Sequence, residues 1–84
     1  MNAADIRPED RATLAWILRN YPSARRMWVT LRRLGMTRIR SDGFSWETLA
    51  PSLWVAQCAT RFGHMTVGLA YHGNGYEDDW SLHS

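Results

Sequence analysis

Residues 22–34 read Pro-Ser-Ala-Arg-Arg-Met-Trp-Val-Thr-Leu-Arg-Arg-Leu, and Gly35 follows. Wound at about 100° per residue, this stretch separates into two faces. Met27, Trp28, Leu31 and Leu34 fall on one side. Arg25, Arg26, Arg32 and Arg33 fall on the other, with Val29 among them. That is the pattern of a surface helix laid on a core. Pro22 suits the first turn, where its missing N–H has no partner to lose. Gly35 can adopt the left-handed conformation that ends a helix, and Arg32 and Arg33 sit well at the negative end of the dipole.

Upstream, Met1 to Arg7 reads as a loose lead-in. Pro8, Glu9 and Asp10 form a plausible first turn, with proline early and acids at the positive end of the dipole. Leu14, Ile17, Leu18 and Tyr21 follow at helical spacing. Asn20-Tyr21-Pro22 breaks this helix, because the residue before proline is pushed out of the α region. Two helices so closely joined predict an N-terminal helical hairpin or a helix-turn-helix corner.

Downstream, Met36 to Arg40 alternates as a short strand. Ser41-Asp42-Gly43 has turn chemistry. Phe44, Ser45 and Trp46 read either as a return strand or as the entry to a short helix capped by Ser45 near Glu47. Residues 51–62 carry helix punctuation: Pro51 at the start, Val55, Cys58, Ala59 and Phe62 on one face, Arg61 late and Gly63 behind. A strand reading has Leu53, Trp54 and Val55 but poor alternation afterwards, so a third helix is predicted there. Thr66 to His72 alternates cleanly, Gly73-Asn74-Gly75 is a turn by composition, and Tyr76 to Leu82 alternates except at Asp78, which predicts a closing hairpin.

The predicted fold class is α+β, in one domain over residues 1–84: two N-terminal helices, a third at 51–62, and a C-terminal antiparallel hairpin or small sheet. The expected core is Leu14, Ile17, Leu18, Met27, Leu31, Leu34, Val55, Cys58, Phe62, Val67, Leu69 and Trp80. Eighty-four residues, 45% of them hydrophobic, suffice for one modest core. Cys58 is the single cysteine, so no internal disulfide forms. No long apolar run is present, so neither a membrane-spanning nor a secretory segment is expected, and a cytoplasmic location is the expectation.

Little in the sequence points to catalysis. Cys58, His64 and His72 are separated by irregular gaps, without the convergent spacing of a metal cage, so no metal and no cofactor are expected. Cys58 reads as a small buried hydrophobe rather than a nucleophile. Glu77-Asp78-Asp79 resembles an acidic cluster, but neighbours on a strand point to opposite faces; a solvated edge that discourages strand pairing, or a partner surface, is the simpler reading. A small nuclease-like enzyme using His64, His72 or Glu77 as acid and base would need a spacing that no pair of residues shows.

Charge is the clearest signal. All ten basic residues are arginine, and nine lie in residues 1–44 against Asp5, Glu9, Asp10 and Asp42, a net of +5. Residues 45–84 hold Arg61 against Glu47, Glu77, Asp78 and Asp79, a net of −3. Arg25, Arg26, Arg32 and Arg33, extended by Arg38 and Arg40 if the strand lies alongside, are the candidate partner-binding residues. Arg suits bidentate contact with carboxylate or phosphate, and Arg, Trp and Tyr carry much interface energy. The expectation is a non-enzymatic protein that docks this face on an acidic surface of a larger protein or nucleoprotein. Bacteriophage- and plasmid-borne inhibitors of host systems, anti-CRISPR-type proteins included, share this size and style. The alternative is a helix-turn-helix nucleic-acid-binding regulator. Oligomeric state is not legible in the sequence.

Overall fold

The computed structural model describes residues 4–45, 50–74 and 76–84. It is an α+β fold with two helices and a five-stranded mixed sheet. The elements run β1 (Asp5–Ile6), α1 (Pro8–Asn20), α2 (Pro22–Arg33), β2 (Met36–Ser45), β3 (Ala50–Thr60), β4 (Gly63–Tyr71) and β5 (Trp80–His83). Spatial order in the sheet follows chain order. β1 runs parallel to β2, and every later pair is antiparallel. A parallel pair cannot be closed by a hairpin, so α1 and α2 together form the crossover.

Both helices begin on proline and part where the sequence says they should. Tyr21 alone separates them, held extended at φ −123° and ψ 104°. α2 ends as Gly35 takes φ 85°, its N–H donating to the Arg32 carbonyl at 3.1 Å.

The helices cover one face of the sheet. Cross-strand partners share a face, and the register pairs Ile39 with Ala56, Trp54 with Leu69, Ala56 with Val67 and Tyr71 with Trp80. These side chains meet Leu14, Ile17, Ala24 and Leu31 from the helices; Ile39, Trp54, Ala56, Leu69, Ala24 and Leu31 are completely enclosed. The other face carries Arg38 opposite Gln57 and Arg40 opposite Val55, and faces solvent.

Several expectations are corrected. Residues 51–62 do not form a third helix; Ala50–Thr60 is the central strand. Trp54, Ala56 and Cys58 point into the core, while Leu53, Val55 and Gln57 line the open face. Both sets are largely apolar, which blurs the polar alternation that marks a strand. The pair Arg61-Phe62 turns the chain into β4, with Gly63 at φ 132°. Phe62 is therefore 93% exposed at a hairpin tip, not in the core. Val55 lies on the open face, and Leu34 is exposed past the end of α2. Asp5 and Ile6 are an edge strand rather than a loose lead-in.

Ser41-Asp42-Gly43 is not a turn: it lies inside β2, where the register slips on both sides of Gly43. A Cβ at Gly43 would stand 3.1 Å from the Leu53 Cβ, so glycine here permits close approach of two strands. Phe44 and Ser45 continue β2, while Trp46, Glu47 and Gly75 lie outside the described residues. β4 and β5 do pair antiparallel, but β5 begins only at Trp80, leaving residues 76–79 in the connection.

Candidate functional site

α2 turns Ala24, Met27, Trp28 and Leu31 toward the core. Arg25, Arg26, Val29, Thr30, Arg32 and Arg33 are exposed on its outer face. The four arginines do not have equal freedom. Arg25 reaches back across the Tyr21 junction, its Nη1 donating to the carbonyls of Leu18 at 2.8 Å and Arg19 at 3.1 Å. Those are C-terminal carbonyls of α1 that no helical N–H satisfies. Arg25 is thus a cap for the preceding helix.

Arg26, Arg32 and Arg33 remain on the surface. Among the described residues none of them makes an ion pair; the pairs that form are Arg7 with Glu9 and Asp10, and Arg38 with Asp5. Val29, 47% exposed, sits between them. The outer face therefore combines an apolar centre with a guanidinium rim.

The N-terminal end of this face is modified by an acid from far along the chain. α2 has neither an acidic residue in its first turn nor a side-chain cap of its own. Asp78 supplies both. Its carboxylate accepts from the Ser23 backbone N–H at 2.9 and 3.0 Å and from the Ser23 hydroxyl at 2.6 Å. Ser23 Oγ in turn accepts from the Trp80 N–H at 2.9 Å. The hydrogen bonds from Ser23, with the charges of Arg26 and Arg25, hold the Asp78 carboxyl below the ordinary carboxylate range. The acidic triplet is thus neither strand nor cluster: one of its members is a structural cap.

Arg38 and Arg40 do not extend the α2 patch. They lie on the open side of the sheet, across the full thickness of the molecule from the outer face of α2. With Arg7, Ser41, Asp42, Val55 and Gln57 they line a shallow cavity of about 270 Å³. Its cations are partly committed. Arg7 is bound to Asp10 at 2.8 Å and to Ser41 Oγ at 3.1 Å, while Arg38 stands 3.5 Å from Asp5. Asp10 is 95% enclosed; burial by itself would raise its pKa, but hydrogen bonds from Arg7 and Ser41 outweigh that and lower it. This Arg7–Asp10–Ser41 network joins the start of α1 to β2.

Cys58 is buried in β3, and burial pushes its thiol pKa up, away from nucleophilic use. His64 is exposed at the start of β4. Among the described residues no three His, Cys, Asp or Glu side chains converge as a metal cage. The structure does bring His72 and His83 together, which a gap of eleven residues conceals in the sequence. No helix among the described residues is long and apolar enough to cross a membrane. Comparison with family models, characterised proteins and solved structures produced no match.

Proposed function

We propose that this chain is a non-enzymatic interaction protein whose α2 outer face docks on an acidic surface of a larger protein. The observation that carries the reading is the face itself: Arg26, Arg32 and Arg33 make no ion pair among the described residues, and the exposed Val29 lies between them. An apolar centre ringed by arginine is the composition of an interface core and its rim. Carboxylates of a partner would gain bidentate contacts that this surface does not satisfy internally. An inhibitor that covers an acidic groove of a host enzyme or nucleoprotein is one form such a protein takes.

The helix-turn-helix alternative fits less well. A recognition helix meets base edges with its N-terminal residues. Here that end of α2 is capped by the carboxylate of Asp78, with Glu77 and Asp79 beside it in the chain. Carboxylates at that position repel phosphate.

The test is the double charge reversal Arg26→Glu with Arg33→Glu. Affinity capture from the native host should retain a partner on the wild type and lose it on the folded double variant. Equal retention removes the α2 face from the proposal. Binding to mixed duplex DNA, weakening steeply with salt, would favour the alternative instead.

A further inference from the structure

His72 and His83 present their Nε2 atoms to each other at 2.9 Å, with ring centroids 5.1 Å apart and planes inclined by 73°. The strand register explains the meeting. Gly68 pairs with His83 and Ala70 with Ser81, which puts these four residues on the open face. His72 lies one residue past the end of β4, its N–H donating to the Asp79 carbonyl at 2.9 Å. Gly68 and Ala70 put no bulk beneath the two imidazoles. Ser81 Oγ stands 3.1 Å from His83 Nε2.

An N–H···N bond between two exposed rings competes with water at both ends and adds little to stability. The same arrangement is far better suited to a cation that accepts both nitrogen lone pairs. Two imidazole nitrogens within hydrogen-bond reach of each other, with open solvent to supply oxygen donors, match the nitrogen and oxygen ligands that copper(II) and nickel(II) take in tetragonal geometry.

We infer that His72 and His83 form a bidentate site for a divalent copper or nickel ion. Water completes the coordination, and the Ser81 hydroxyl, 3.1 Å from His83 Nε2, gives up that nitrogen to the ion. Each ring keeps its remaining proton on Nδ1. The ion ties β5, an edge strand, to the end of β4, and so steadies the loop that carries Asp78 to α2. This site is independent of the arginine face.

Titration calorimetry and thermal unfolding with copper(II), nickel(II) and zinc(II) chlorides test it on the full chain and on His72→Ala, His83→Ala and His64→Ala. The expected result is one ion per chain, nickel bound more tightly than zinc. The unfolding midpoint should rise by roughly 10–20 °C at free metal about a hundredfold above the dissociation constant. Loss of either His72 or His83 should weaken binding by roughly a hundredfold, since the second contact is intramolecular. His64→Ala should leave it unchanged. Absence of stoichiometric binding, affinity that survives His83→Ala, or zinc bound more tightly than nickel would each overturn the inference.

Discussion

Asp78 caps α2 through Ser23, across 55 residues of chain. One carboxylate satisfies the Ser23 N–H, which has no partner within the helix, and the same serine accepts from Trp80 as β5 begins. The loop is held in place for this by the Tyr71 hydroxyl, which donates to the Glu77 carbonyl at 2.7 Å. Tyr71 and Trp80 pack on Tyr21, the residue between the helices, at 5.3 and 5.9 Å between centroids. The last strand and the helix junction are therefore one cooperative unit.

Ser23→Ala should lower stability by about 1–3 kcal/mol, because the buried Trp80 N–H loses its acceptor. Asp78→Asn should destabilise too, and the pair should be strongly non-additive in a double-mutant cycle. Urea unfolding measures both; additive effects would dissolve the proposed unit.

Acid should weaken the fold through Asp10 and Asp78. Both carboxyls titrate lower in the folded chain than their ordinary value, so the unfolded chain takes up protons more readily. Their stabilising contribution is complete above the unfolded pKa, about 3.9, and is lost as pH falls through the lowered folded values. The urea midpoint should fall on acidification below about pH 5. In Asp10→Asn that acid limb should be shallower, and an unchanged limb would remove Asp10 from the account.

Arg25 and its neighbours should behave differently. Arg25→Ala removes the donor to the Leu18 and Arg19 carbonyls and should cost about 0.5–1 kcal/mol. Arg26→Glu with Arg33→Glu should change stability by no more than about 0.5 kcal/mol. Thermal unfolding of the three proteins distinguishes the cap from the docking face.

Gly35→Ala should destabilise by about 1–2 kcal/mol, the penalty of a left-handed backbone for a residue with a Cβ. The new Cβ would also stand 3.1 Å from the Ala59 carbonyl oxygen. Chemical denaturation gives the difference directly.

Cys58 should react with a disulfide reagent only as fast as the chain unfolds. Its sulfur is enclosed in the core, and burial disfavours the thiolate. Rapid labelling of native protein would contradict the placement of β3.

The α2 face is legible in the sequence because helical spacing alone puts Arg26, Val29 and Arg33 on one side. Helical spacing groups Arg25 with them, but its role depends on where α1 ends relative to α2. Arg38 and Arg40 fall outside the patch, and only sheet register shows that their side chains leave by the opposite layer. The role of Asp78 is hidden for a related reason: a carboxylate that serves a helix 55 residues away has no local signature.

Both helices, their proline starts, the break at Tyr21 and the glycine stop at Gly35 follow from the chain by itself. Each depends on backbone rules that act within a few residues. The strand at residues 50–60, the cap from Asp78 and the meeting of His72 with His83 were decided by tertiary structure. A central strand is stabilised by hydrogen bonds to both neighbours and by burial against the helices, and these outweigh the weak helix punctuation of Pro51 and Gly63. Contacts that join distant parts of a chain are set by where its strands pair.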